Sequence, residues 1–133
     1  MSKQDIMNKK TISLSKLDIR TLSDEQLLVN EYANICSQYK STERWIMMVD
    51  PEADSLEQLV MDHSIDPTRV LRVSSRHHPV KLNNIERTLL KGNCSALILC
   101  NPKLKSKEVS KLTKVVAQSD TQCIILNTKH KLH

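Results

Sequence analysis

A chain of 133 residues is the length of one ordinary domain, long enough to bury a core and too short for two. Apolar residues make up 39% of it and the formal net charge is +5, so a disordered tail is excluded and an anionic partner is permitted. No apolar run approaches the roughly 18 residues that span a bilayer, and Met1-Ser2-Lys3-Gln4-Asp5 lacks the pattern of a secretion leader, so a cytoplasmic protein without a membrane partner is expected.

Residues 1–21 are polar, lysine-rich and without sustained periodicity, and they read as a loose N-terminal arm. The folded domain is expected over residues 22–126. Ser23 with Gln26 three residues on forms a capping box, and Leu28, Tyr32, Ile35 and Tyr39 then mark one buried helical face. Trp45-Ile46-Met47-Met48-Val49 is a short apolar run that stops at Asp50-Pro51, the pattern of a buried strand. Asp54 is placed to cap a second helix striped by Leu56, Leu59, Val60 and His63 and ended by Asp66-Pro67.

Arg69-Val70-Leu71-Arg72-Val73 predicts a second strand, followed by the polar loop Ser74 to Pro79. A third helix carries Leu82, Ile85 and Leu89, and Gly92 stands where a C-terminal cap is wanted. Cys94–Cys100 is the clearest buried strand. A fourth helix carries Val109, Leu112, Val115 and Val116, and Gln122–Leu126 is the last strand before a short tail over residues 127–133. Strands alternating with helices predict a three-layer α/β fold, a four-stranded mainly parallel sheet with helices on both faces.

The residues carry little chemistry. A phosphate cradle needs glycine, and the single glycine, Gly92, precedes a strand instead of following one, so neither a P-loop nor a dinucleotide fingerprint is present. His77 and His78 are adjacent and have no nearby cysteine or carboxylate to complete a metal set. Ser74 and Ser75 lack a nucleophile elbow, and Asp50, Glu52 and Asp54 read as turn and cap residues. Cys36, Cys94, Cys100 and Cys123 are far apart and read as buried thiols. No catalytic residue, metal or cofactor is expected, which leaves surface recognition. Arg44-Trp45 and the arginines Arg69, Arg72 and Arg76 are the candidates, because Trp and Arg dominate binding hot spots. Trp45 opens a strand, and a core or rim position is its plainer reading. A basic nucleic-acid-associated protein is the alternative. The scarcity of aromatic residues (Tyr32, Tyr39, Trp45) disfavours single strands held by stacking.

Arg44-Trp45 leading a strand, Pro51, the Val60-to-Val70 segment and Lys91-Gly92-Asn93 before the Cys94–Leu99 strand together resemble the SulA family of bacterial cell-division inhibitors. The resemblance covers residues 44–126. It implies a RecA-like fold without a nucleotide site and a role in the SOS response to DNA damage. It further implies a dimer that binds FtsZ, covers its subunit contact surface and so blocks polymerisation and GTP turnover. Family positions that matter for inhibition fall on Arg44, on Val49 where the family has Leu, on Leu59 where it has Trp, and on Arg69 where it has Lys. The family's tail is a signal for the Lon protease. Here the tail is short but still ends in a histidine, His133.

Overall fold

The computed structural model describes residues 9–14, 16–39, 43–76 and 78–128. In chain order the elements are β1 (Lys9–Leu14), β2 (Leu17–Leu22), α1 (Glu25–Gln38), β3 (Trp45–Val49), α2 (Ala53–Met61), a 3-10 turn (Pro67–Arg69), β4 (Val70–Val73), α3 (Leu82–Lys91), β5 (Cys94–Cys100), α4 (Ser106–Ala117) and β6 (Gln122–Thr128). One six-stranded sheet runs β1-β2-β6-β5-β3-β4. β1 and β2 are antiparallel and every other neighbouring pair is parallel.

Alternation along the central strands splits the core in two. Ile46, Met48, Ala96, Ile98 and Ile124 face α1 and α2, where Tyr32, Ile35, Leu56 and Leu59 meet them. Leu97, Leu99, Cys123 and Ile125 face the other way, against Ile85 and Leu89 of α3 and Leu112 and Val116 of α4. Strands apolar on both faces need a helical layer on each, which is the three-layer arrangement expected. Gly92 closes α3 at φ 71, the left-handed cap the sequence called for.

The sheet has six strands, not four, because residues 9–22 form a hairpin where a loose arm was expected. β2 pairs in parallel with β6, Ile19 opposite Ile125. Leu17 and Leu22 are fully buried. The even positions of β2 explain why the pattern was obscure. Asp18 and Arg20 point toward α1, where Glu31 is buried at 3% exposure. Arg20 bonds both Asp18 and Glu31 at 2.9 Å, and Lys9 of β1 bonds Glu31 at 2.9 Å. Charges usually mark an exposed face; here they sit in a neutralised cluster between hairpin and helix.

Two caps and one helix end also differ. Asp24, not Ser23, caps α1 by accepting from the Leu27 N–H at 2.8 Å. Glu52, not Asp54, caps α2 by accepting from Asp54 and Ser55 N–H groups. α2 ends at Met61, and Asp66 instead caps the 3-10 turn through the Thr68 N–H. The two N-caps differ by one or two residues, within which a nearby polar side chain can serve, while α2 stops several residues before the expected Asp66-Pro67.

All four cysteines are buried and unbridged, as expected of thiols acting as small hydrophobes. Burial pushes the Cys36 thiol up to about 11 and those of Cys100 and Cys123 up to about 12.

Two outcomes are expected. Arg20→Ala leaves Glu31 underpaired in the interior and lowers unfolding free energy by about 3 kcal/mol in urea titration, whereas Arg20→Met with Glu31→Leu costs less. The thiols favour folding fully below their ordinary value of 9.0, and that contribution is lost as pH rises through the folded values of about 11 to 12. The urea midpoint therefore drops between pH 8 and pH 10.5, and Cys123→Ala, though weaker at pH 8, shows a smaller drop.

Candidate functional site

Parallel sheets ordinarily bind ligands beyond the carboxyl ends of their strands. Here β3 and β5 end on Asp50 and Asn101, both in the left-handed region at φ 55 and φ 47. Short polar side chains tolerate that conformation because they bond locally. Asp50 accepts from the Ser75 N–H at 2.7 Å and pairs with its hydroxyl. Asn101 accepts from the Thr128 N–H at 2.9 Å. Beneath them, the Tyr32 hydroxyl accepts from the Glu52 N–H at 3.0 Å and lies 3.6 Å from Cys100 Sγ. Desolvation and the neighbouring Cys100 raise the Tyr32 pKa. A cavity of about 240 Å³ at this end is lined by Asp24, Glu25, Asp50 and Glu52. Its carboxylates repel phosphate, and three of the four are committed to caps or turns.

The amino end is built differently. β3 and β4 are parallel neighbours with Ile46 opposite Val70, so the residues just before them stand side by side. Arg44 precedes β3 and Arg69 closes the 3-10 turn before β4. Both line a cavity of about 560 Å³ together with Tyr39, His63 and Asp66. Arg44 reaches the Gly92 and Asp120 carbonyls at 3.5 Å, and the Tyr39 hydroxyl donates to Gln122. Among the described residues, Asp66 is the only carboxylate lining this cavity. Its hydrogen bonds from the Thr68 hydroxyl and N–H, more than the Arg69 charge, hold its pKa low.

Arg44 also lines a second depression of about 600 Å³ on the other face, with Trp45, Met47, Leu71 and Lys91. The pairing of β3 with β5 slips by one residue between Trp45 and Ile46, and Ser95 fills the slip by donating to the Trp45 carbonyl at 3.3 Å. Trp45 is 41% exposed and Leu71 is 36% exposed. Trp45 and Leu71 thus leave apolar area in water beside the Arg44 guanidinium.

Of the four residues singled out by resemblance, the structure brings two together. Arg44 and Arg69 share the amino-end cavity. Leu59, at 4% exposure, is inside the core between α1, α2 and the sheet. Val49, at 8% exposure, packs in the opposite core at the far end of β3. Both side chains are buried within this chain. Trp45 takes the rim position. Leu71 was missed, because a strand centre reads as buried unless the strand is known to be at the edge. Arg72 is tied to Glu57 at 2.8 Å. His77 lies outside the described residues, and among the described residues no His, Cys, Asp or Glu group is arranged to hold a metal. Nor is any described helix long and apolar enough to cross a membrane.

No family model matches the chain, and no curated protein matches it. Among solved structures, SulA from Pseudomonas aeruginosa has the same fold. The TM-score is 0.69 at 14% identity, over 86% of this chain and 98% of that one. The chain therefore has a SulA-like fold.

The single tryptophan makes the amino-end surface directly observable. Acrylamide is expected to quench Trp45 emission efficiently in the folded protein. Quenching no better than for a fully buried indole would contradict the exposure described above.

Proposed function

We propose that this protein is a SulA-like inhibitor of cell division that binds FtsZ and acts by occupying a surface, with no catalysis of its own. The observation that carries the reading is the position of Arg44 between two depressions at the amino end, one shared with Arg69 and the other with exposed Trp45 and Leu71. The arginines supply forked donors suited to carboxylates on a partner. Trp45 and Leu71 supply apolar area whose removal from water stabilises the complex. The SulA-like fold supports the same partner. FtsZ completes its GTPase site between subunits, so a protein seated on the subunit contact surface stops assembly and turnover together.

The finer points of this reading are a RecA-like fold without a nucleotide site, action as a cytoplasmic homodimer during the SOS response, and removal by Lon through the C-terminal tail. Residues 129–133 of that tail lie outside the described residues. The binding set narrows to Arg44 and Arg69, joined by Trp45 and Leu71, with Leu59 and Val49 supporting from inside.

Sedimentation of FtsZ with GTP tests the proposal. A several-fold molar excess of this protein is expected to abolish the polymer pellet, and an undiminished pellet refutes the reading. Arg44→Ala and Arg69→Ala each raise the concentration for half-inhibition by about 10-fold or more. Leu59→Ala instead lowers stability by about 2–5 kcal/mol while inhibition per folded molecule is retained.

A further inference from the structure

Charge is segregated between the two helical layers. Neither α1 nor α2 contains a lysine or arginine, while α1 carries Glu25 and Glu31 and α2 carries Asp54 and Glu57. The opposite layer is basic. Lys81, Arg87 and Lys91 on or beside α3 are exposed. So are Lys103, Lys105, Lys107, Lys111 and Lys114 on or beside α4. Its acids are engaged: Glu108 accepts the Lys105 N–H at 2.9 Å, and Glu86 lies 3.6 Å from Lys111. Among the described residues, no other lysine or arginine of this layer has an ion pair.

We infer that the α3–α4 face binds the phosphate backbone of double-stranded nucleic acid, without reading its sequence. Lys103, Lys107 and Lys111 recur every fourth residue, and along α4 Lys107 and Lys111 stand about 6 Å apart. That gives a row of point charges matched to a row of phosphates. Lysine predominates, which suits phosphate as a simple counter-charge, where arginine would suit forked recognition of carboxylates. Neither helix carries an aromatic residue. Without a stacking platform, an unpaired strand gains nothing there over a duplex. A lipid surface is less well matched, since Leu90 is the one large exposed apolar side chain on these two helices. The inference does not rest on the FtsZ reading: Arg44 and Arg69 take no part in it, and of its lysines only Lys91 also lines the depression beside Trp45.

The test is fluorescence anisotropy of the full chain with two 20-base-pair DNA duplexes of unrelated sequence. Equal binding to both is expected at 50 mM salt. For about four phosphate contacts, affinity should fall roughly 100-fold by 200 mM. Lys107→Glu is expected to weaken binding about 10-fold. Arg76→Glu makes the same change in net charge at the carboxyl end of β4, away from this face, and is expected to alter binding less than 2-fold; far-ultraviolet circular dichroism confirms that both variants are folded. No binding at 50 mM salt overturns the inference. So do equal losses in the two variants, and so does tighter capture by phosphatidylserine vesicles than by duplex. Failure here leaves FtsZ inhibition untouched, and normal FtsZ polymer leaves the duplex result standing.

Discussion

The structure depends on the complete burial of β5. All seven residues from Cys94 to Cys100 are shielded from water, with Ala96 and Ile98 in one core and Leu97 and Leu99 in the other. A strand apolar on both faces stabilises the fold only if each face is covered, and the helices that cover it must be joined by parallel crossovers. That one requirement places α1 and α2 on one side and α3 and α4 on the other. It leaves the two ends of the sheet and the outer faces of the helices as the surface available for function.

The edges show a second constraint. β6 would be an exposed strand if β2 did not pair with it, and β2 brings Asp18 and Arg20 to a half-buried position. Glu31, Arg20, Asp18 and Lys9 satisfy one another there, at 2.9 Å for each contact. Burial alone works against the Arg20 charge, but the Asp18 hydrogen bond and the Glu31 charge outweigh it and raise its pKa. The cluster thus joins the hairpin to α1 beside the apolar contact that Leu22 makes with the same core. Such a joint is specific, because a shifted register would leave buried charges unpaired.

This explains what could be read in advance. Elements built on apolar periodicity were legible: four helices, four parallel strands, the Gly92 cap and the inert thiols. The hairpin was not, because Asp18 and Arg20 lie among its buried Leu17 and Leu22 and half-buried Ile19 and make the segment look solvated. Arg44 and Arg69 were legible as surface arginines at strand starts, and the parallel register of β3 and β4 then sets them together. Val49 and Leu59 could not be sorted from surface by residue type, since an apolar residue suits a core and an interface equally. Leu71 required the strand order, which local sequence does not contain.

The two ends of the sheet also divide their work. At the carboxyl end the polar side chains are spent on the fold: Asp50 holds Ser75, Asn101 holds Thr128, and Asp24 and Glu52 cap helices. A ligand arriving there would compete with bonds that position the strands and would meet clustered carboxylates. At the amino end Arg44 and Arg69 line one cavity, Arg44 bonding the Gly92 and Asp120 carbonyls, and Trp45 stands partly in water. The same separation holds across the layers, where lysines of α3 and α4 extend from helices whose packing uses only Ile85, Leu89, Leu112 and Val116 as fully buried anchors. The side chains on which the two proposals rest thus lie outside the buried core, so substitutions at these positions can test the proposals without first testing the fold.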